Sequence, residues 1–287
     1  MRVLLTGASG FIGSAFYGQY RKILDIVTVS FHNGIDQIDI SRMDVVVHLA
    51  ALVHQMNGAD EKAYHEVNVT KTLALAKKAK ASGVRQFIFM SSVKVYGEES
   101  ETPYNEKSPC FPKDPYGKSK LEAEKALLAL ADGTFKVAVI RTPVVYGEGV
   151  KANILKLVEL TDRYRALPFG GIDNRRSMVY IGNLTHLLFE IIRQEKAGLF
   201  LAGDDAPFST SALIAAIAKA LQKSCRLFPS LTLKTVLKHL KPQLFQRLYG
   251  DLYLDNTQTK ASLNLTNPYS AREGIERMVA WYKAQNR

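Results

Sequence analysis

Short apolar runs alternate with longer segments of helical periodicity through the first half of the chain. The helical periodicity is clearest over Glu61–Ser82, which ends at Gly83, and over Lys118–Ala131. Strands are predicted from runs rich in β-branched residues at Arg2–Leu5, Ile26–Phe31, Val45–Leu49, Gln86–Ser91 and Lys136–Arg141. Strands that alternate with helices indicate βαβ units, so the pattern predicts an α/β fold with a doubly wound parallel sheet.

The alternation becomes less regular after Gly149. Helices are predicted near Asn153–Thr161, Leu184–Gln194 and Ser209–Leu221, while Met178–Ile181 and Gly198–Leu201 are expected to return to the sheet. We therefore predict a first domain formed by residues 1–150 with about 177–202. Residues 151–176 and 203–287 are predicted to form a smaller second domain that binds the substrate.

Composition and charge narrow the class of protein. The chain is 47% hydrophobic and 23% charged, as in globular proteins, and no apolar run is long enough to span a membrane. Only Cys110 and Cys225 are present, so we expect no disulfide framework, no metal site and a reducing, cytoplasmic location. The net charge is +11, and residues 151–287 hold 20 basic against 11 acidic residues. This excess favours an anionic ligand unless the lysines are simply solvated, and no nucleic-acid-binding motif accompanies it.

One basic segment, Leu231–Tyr249, is also apolar, and Pro242 divides it. Two interpretations are open for it. We favour a pair of helices packed on the second domain with their lysines in water, over a helix pair lying on an anionic membrane surface.

A glycine-rich loop follows the first predicted strand and opens the first helix. Its residues are Gly7, Ala8, Ser9, Gly10, Phe11, Ile12 and Gly13. Glycines let the backbone approach a pyrophosphate closely, and a helix N-terminus presents free N–H groups and a positive dipole end. The loop therefore predicts a dinucleotide site, although its spacing is GxxGxxG rather than GxGxxG.

The end of the second strand bears on the choice of dinucleotide. An acidic residue there would bond the ribose hydroxyls of NAD, but the chain has none at Val29–Asn33. Ser30, His32 and Asn33 could accept a 2′-phosphate, so the cofactor is NAD or NADP with a lean towards NADP. Asp39 and Ile40 are expected near the adenine.

Two further patterns carry chemistry. Tyr116 and Lys120 are four residues apart, which places both side chains on one face of a helix. An ammonium nearby would lower the pKa of the phenol, which could then exchange protons near neutral pH. Ser92 ends the strand that precedes them, where its hydroxyl could bond a substrate oxygen.

These elements together resemble the extended short-chain dehydrogenase/reductase family, which includes nucleotide-sugar epimerases, dehydratases and ketoreductases. The resemblance is carried by the following motifs: GASGFIG (7–13), HLAA (48–51), VNVTKT (67–72), FMSSVKVYGE (89–98), YGKSK (116–120) and RTPVVYGEG (141–149). It implies a Rossmann fold, with Ser92, Tyr116 and Lys120 as catalytic residues. The implied cofactor contacts add Leu49, Ala50, Ala51, Asn68 and Pro143 to the loop residues, to Tyr116 and to Lys120.

The same resemblance narrows the reaction. Dehydratases of the family carry an Asp-Glu pair where this chain has Val93 and Lys94, so dehydration is not expected. The segments 167–170 and 174–179 resemble bacterial enzymes of polysaccharide synthesis that reduce UDP-4-keto-6-deoxy-N-acetylhexosamines at C4. The substrate contacts that this implies are Ser92, Lys94, Asn153, Leu167, Phe169, Arg176 and Asp251, with Arg176 and Asn153 at the diphosphate.

The predicted function is therefore NAD(P)-dependent reduction of such a 4-keto sugar. The alternatives are a UDP-hexose or UDP-N-acetylhexosamine 4-epimerase and, from a different class, a non-catalytic NADP-binding sensor. Members of the family commonly form homodimers through a four-helix bundle, which here would use Glu61–Ser82 and Lys118–Ala131.

Overall fold

The structure is a computed structural model that describes residues 1–31, 34–53 and 60–286. Its strands are β1 (Arg2–Thr6), β2 (Asp25–Val29), β3 (Val45–His48), β4 (Gln86–Ser92), β5 (Lys136–Thr142), β6 (Val144–Tyr146), β7 (Ala166–Leu167), β8 (Met178–Tyr180), β9 (Gly198–Leu201) and β10 (Arg226–Leu227). Its α-helices are α1 (Phe11–Tyr20), α2 (Glu61–His65), α3 (Lys71–Ala81), α4 (Pro115–Leu130), α5 (Ala152–Arg163), α6 (Ile181–Arg193), α7 (Thr210–Leu221), α8 (Leu231–Leu240), α9 (Pro242–Tyr249), α10 (Thr257–Leu263) and α11 (Ala271–Gln285).

Six parallel strands form the central sheet in the order β2-β1-β3-β4-β5-β9. All four residues of β3 are buried, as a strand covered on both faces requires. The order reverses between β1 and β3, and in such sheets a ligand binds in the crevice beyond the carboxyl ends of the strands at that point. The predicted doubly wound parallel sheet is confirmed.

Two hydrophobic layers cover the sheet. One layer joins α1 and α6 to the sheet through side chains such as Phe16 and Leu188. The other places α3 and α4 on the opposite face, where Leu75 and Leu127 are fully buried. The helix predicted over Glu61–Ser82 is interrupted by a π-helical segment, Glu66–Thr70, between α2 and α3.

The second half adds two small sheets and a third hydrophobic cluster, in which α7 and α11 pack together. Gly198–Leu201 joins the central sheet beside β5, as predicted. Met178–Tyr180 does not, because it pairs with Val144–Tyr146 in a separate sheet of two strands. The division of the chain into two domains stays a prediction.

The basic segment forms the predicted pair of helices, and Pro242 starts the second of them. Its lysines are exposed, as the favoured interpretation expects, and its packing on the rest of the protein is sparse. Only Leu237 of α8 is buried, and α9 has no buried residue. No helix in the described part of the chain is long and apolar enough to cross a membrane.

Candidate active site

The glycine loop is held in shape by its own backbone. Gly7 has φ +72°, and a Cβ there would lie 2.7 Å from the Ala50 nitrogen. A Cβ on Gly13 would lie 2.1 Å from the Gly7 carbonyl oxygen, so the first turn of α1 packs directly on the loop. No side chain caps α1 at Gly10, which leaves N–H groups of its first turn for an anion. These features fit the pyrophosphate of a dinucleotide.

Replacing Gly13 with alanine should therefore raise the Kd for NAD(H) about ten- to hundredfold, because the loop must move away from the added methyl group. The measurement is a calorimetric or fluorescence titration of the purified variant. Gly18→Ala is the matched control, since Gly18 lies in the same helix with open space around its Cα. An unchanged Kd in Gly13→Ala would contradict the assigned loop.

A buried hydrogen-bond chain supports the next edge of the crevice. His48 lies between the hydroxyls of Thr6 (2.8 Å) and Thr72 (3.0 Å), and burial lowers its pKa to about 3, so the ring is neutral. Thr6 also accepts a hydrogen bond from the Ala50 N–H (3.2 Å). These hydrogen bonds fix the backbone at Leu49–Ala51, where cofactor contacts are predicted.

Asn68 clamps the segment that follows. Its side chain accepts from the Leu52 N–H (2.9 Å) and donates to the Leu52 carbonyl (3.0 Å) and to the Ser119 hydroxyl (3.1 Å). It lies in the π-helical segment, a local distortion that is frequent at functional sites. In this structure Asn68 shapes the crevice through Leu52, and its direct contact with the cofactor stays a prediction.

The end of β2 forms one wall of a cavity of ≈ 280 Å³ together with Gly7–Ser9 and Ala50. Ser30 lies there, whereas His32 and Asn33 are outside the described residues. Asp39 is exposed and accepts from the Ser41 N–H (2.9 Å). The Ile40 side chain is 2% exposed and packs in the core, so a contact with the adenine would use its backbone, and that contact stays a prediction.

The three predicted catalytic residues come together at the carboxyl end of β4. Asp114 accepts a hydrogen bond from the Gly117 N–H (2.7 Å) and Pro115 opens α4, so Tyr116 occupies the first turn of the helix. The Tyr116 side chain is hydrogen-bonded to that of Ser92. Lys120 lies one turn further on, with its Nζ 5.9 Å from the Tyr116 ring centroid. A Cβ on Gly117 would lie 2.7 Å from the Lys94 carbonyl oxygen, so this glycine permits the close approach of α4.

The electrostatics of this group differ from the expectation. Burial raises the pKa of Tyr116 to about 12, and the hydrogen bond with Ser92 acts in the opposite direction. Burial also lowers the pKa of Lys120 to about 7, although its Nζ lies over the Phe89 ring and donates to the Met90 carbonyl (2.8 Å), two contacts that favour the charged form. The pKa of Tyr116 is therefore raised in this structure and not lowered as predicted, because desolvation of the phenol outweighs the hydrogen bond with Ser92.

A buried ion pair lies beneath the catalytic residues. Arg141 donates from Nη2 to Glu124 (2.7 Å) and from Nε to both of its carboxylate oxygens (3.2 Å each). The side chains are 7% and 2% exposed. Glu124 also accepts from the Ser91 hydroxyl, and its charge raises the pKa of Lys120 against the effect of burial. Sequence reasoning missed this pair, and the only available signal was a glutamate one helical turn after Lys120.

Two of the predicted substrate contacts, Lys94 and Arg176, already bond other groups of the protein. Lys94 forms ion pairs with Glu98 and with Asp114 (3.2 Å). The Arg176 guanidinium uses Nη1 to bond the carbonyls of Gln246 (3.3 Å) and Gly250 (3.1 Å), which leaves further donors for a phosphate.

The four remaining predicted substrate contacts lie in different environments. Asn153 is exposed near the start of α5, and Phe169 is half-buried. The Leu167 side chain is buried where β7 pairs with β10, so a contact with the substrate would use its backbone, and that contact stays a prediction. The Asp251 carboxylate accepts from the Arg175 backbone (2.7 Å) and guanidinium (3.3 Å), and its contact with the substrate stays a prediction.

A larger cavity of ≈ 570 Å³ was not anticipated from the sequence. It lies between the start of α1, the loop after β6 and α11. Lys151 and Arg277 line it, as does Glu148, which accepts from the Tyr180 hydroxyl (2.9 and 2.8 Å). The sequence could not reveal it, since its walls come from segments more than 100 residues apart.

A glycine loop at the switch point of a parallel sheet, with a Ser-Tyr-Lys group at the end of β4, defines a dinucleotide-dependent oxidoreductase of the short-chain type. The model of the NAD dependent epimerase/dehydratase family matches residues 3–203. The chain belongs to this family, an enzyme family whose members act on nucleotide sugars with NAD. The predicted family, fold and enzyme class are confirmed.

Individual proteins give the same result. The chain is 35% identical to a UDP-glucose 4-epimerase of Vibrio cholerae, over 99% of this chain and 97% of that protein. It is 27% identical to an N-acetyl-alpha-D-glucosaminyl-diphospho-ditrans,octacis-undecaprenol 4-epimerase of Escherichia coli O157:H7, covering 97% and 94%. The solved structure of MoeE5 in complex with UDP-glucose and NAD matches all of both chains, with a TM-score of 0.81 and 23% identity.

Proposed function

We propose that the protein is a UDP-sugar 4-epimerase that keeps NAD bound through the reaction. The observation that carries the proposal is the Ser92–Tyr116 hydrogen bond above a buried Lys120, at the switch-point crevice. Two full-length relatives are named as 4-epimerases, which favours epimerisation over the ketoreduction predicted from segments 167–170 and 174–179. Ketoreduction stays a prediction.

The residues of the chain divide the work as follows. NAD, when bound, would accept a hydride from the sugar C4 and return it to the other face. Tyr116 is placed to take the proton of the C4 hydroxyl and later to give it back, while Ser92 orients the same oxygen. Lys120 would hold the cofactor ribose and supply positive charge. The basic Arg176 would hold the substrate diphosphate through its remaining donors.

NAD is the better-supported nucleotide. The family is defined by NAD, and MoeE5 was solved with it. The described walls of the cavity at the end of β2 carry no charged side chain that would bind a 2′-phosphate. The lean towards NADP stays a prediction, since Ser30 is the only one of its three residues that the structure describes.

The discriminating experiment measures cofactor content and turnover in the same preparation. Protein is purified without added cofactor and denatured, and the released NAD(H) is counted; UDP-glucose and UDP-N-acetylglucosamine are then followed by NMR. Tightly bound NAD with interconversion of the 4-epimers is the expected result. Stoichiometric NAD(P)H oxidation by a UDP-4-keto-6-deoxy sugar, with no interconversion, would instead show a ketoreductase. Retained cofactor with neither reaction would favour the non-catalytic sensor.

We also propose a homodimer formed through the outer faces of the α2–α3 and α4 helices. Leu128 is 41% exposed on α4, whereas Leu75 and Leu127 are committed to the core. Light scattering that shows a monomer at micromolar concentration would exclude this assembly. The cytoplasmic location stays a prediction.

A further inference from the structure

The α8–α9 hairpin, residues 228–249, exposes apolar side chains that a folded protein normally covers. Leu231 is 81% exposed and Leu240 is 75% exposed. Phe228, Val236 and Leu244 are also exposed, so five of the thirteen exposed large hydrophobic residues in the described chain lie within 17 positions. Isolated exposed leucines need no explanation, but a cluster of this kind marks an interaction surface.

The charge of the same hairpin has one sign. Residues 228–249 contain Lys234, Lys238, Lys241 and Arg247 and no aspartate or glutamate. None of the three lysines forms an ion pair with a described residue. No carboxylate of the described residues neutralises these three lysines, although Lys234 also lies 5.7 Å from the Tyr249 ring centroid. Their positive charge complements a surface of negative charge.

Helix geometry distributes these groups around α8. Leu237, and Leu233 one turn before it, face the rest of the protein, as their burial shows. Val236 and Leu240 are four residues apart and share an exposed face, and Lys234 and Lys238 share another. Apolar side chains flanked by lysines are the arrangement of helices that lie in a membrane interface.

We infer that the α8–α9 hairpin docks on the surface of an anionic lipid bilayer. Leu231, Val236, Leu240 and Leu244 would enter the boundary between headgroups and acyl chains, and the lysines would contact lipid phosphates. A second protein copy is a poorer fit, because two identical faces of this hairpin would bring like charges together.

The hairpin is also attached to the predicted substrate side of the cleft. The Arg176 guanidinium bonds the carbonyls of Gln246 and Gly250 at the end of α9, and Asn174 donates to the same Gly250 carbonyl (3.1 Å). Docking would therefore place the group predicted to hold the diphosphate next to the membrane. The inference does not depend on which reaction the enzyme catalyses, because its test measures lipid binding.

The test is flotation of the full-length protein with phosphatidylcholine vesicles, with or without phosphatidylglycerol. We expect flotation with the anionic vesicles only, and its loss at about 1 M salt, where the screening length falls to about 3 Å. Changing Lys234, Lys238 and Lys241 together to glutamine should weaken partitioning about a hundredfold. The double variant Leu231→Glu/Leu240→Glu should abolish flotation, and both variants should fold because the altered side chains are exposed.

The matched controls lie at the end of α1. Ile23→Glu alters an apolar residue that is 65% exposed, and Lys22→Gln removes an exposed lysine. Both should float like the unaltered protein. The proposal is overturned if the unaltered protein fails to float with anionic vesicles, or if the control variants lose binding as much as the hairpin variants. It is also overturned if light scattering shows that the hairpin variants change oligomeric state and leave lipid binding unchanged.

Discussion

Replacing Tyr116 with phenylalanine should lower kcat about 10²- to 10⁴-fold, the range lost when a general acid–base is removed. The phenol oxygen is the only atom that the substitution deletes, and it is the group hydrogen-bonded to Ser92. The ring stays packed against Tyr64, whose centroid is 6.0 Å away, so the fold and the cofactor content should be retained. Steady-state kinetics with UDP-glucose measure kcat, and the cofactor released on denaturation measures the cofactor content.

The pH profile separates a chemical role from a structural one. The pKa of Tyr116 is raised to about 12. Below that pH, each unit of increase in pH raises the phenolate fraction about tenfold. If proton abstraction by the phenolate limits turnover and needs the Lys120 charge, the rate of the unaltered enzyme should rise with pH up to about 7, where Lys120 begins to lose its proton, and then level off. The residual rate of Tyr116→Phe should not show this rise. Tyr104→Phe is the control, since its hydroxyl bonds the Glu99 carbonyl away from the site. A loss in Tyr116→Phe of less than about twofold would be incompatible with general acid–base catalysis.

The features predicted correctly from the sequence are those that depend on local sterics. The contact between Gly7 and Gly13 spans one loop, and the spacing of Tyr116 and Lys120 spans one helical turn. Both features therefore depend only on residues that are close in sequence. The strands of the central sheet follow from their runs of buried β-branched residues. Their ends were less predictable: α4 begins at Pro115 rather than Lys118 because Asp114 caps it.

The features that were missed depend on residues that are far apart in sequence. Asp251 pairs with Arg175, 76 positions away, and no local pattern in either segment predicts that pair. Leu167 is buried because a two-residue strand meets Arg226–Leu227 much later in the chain. The pKa of Tyr116 was predicted in the wrong direction for the same reason, since spacing reveals the neighbouring lysine and does not reveal how deeply both groups are buried.

Among stability changes, the largest expected effect comes from breaking the ion pair between Glu124 and Arg141. Glu124→Gln keeps the shape of the side chain and removes its charge, which leaves the Arg141 cation buried without a counterion. Loss of one partner from a buried pair typically costs about 3–5 kcal/mol of unfolding free energy. Arg141 Nη1 already has no hydrogen-bond partner in the described structure, so little else nearby can compensate except the Tyr96 ring, 4.6 Å from the guanidinium carbon.

Urea denaturation of matched variants measures this cost. Glu122→Gln is the control on the same helix, because Glu122 is half-exposed and its carboxylate pairs with His65 (3.1 Å) near the surface. Its effect should stay below about 1 kcal/mol. The loss of unfolding free energy in the double variant Glu124→Leu/Arg141→Met should be smaller, by at least about 1 kcal/mol, than the summed losses of Glu124→Leu and Arg141→Met. The reason is that neither charge is then left buried alone. Additive effects would mean that the two residues contribute separately.

Glu124→Gln should also change the pH dependence of catalysis. Glu124 raises the pKa of Lys120, which burial has already lowered to about 7, so Glu124→Gln should lower that pKa further. At neutral pH a smaller fraction of Lys120 would then carry the positive charge that Tyr116 and the cofactor ribose require. We therefore expect Glu124→Gln to shift the pH dependence of kcat at temperatures where the variant is fully folded, whereas Glu122→Gln leaves it unchanged. If the pH profile of kcat is unshifted in a folded Glu124→Gln enzyme, the ion pair between Glu124 and Arg141 has only the structural role of holding α4 against β5.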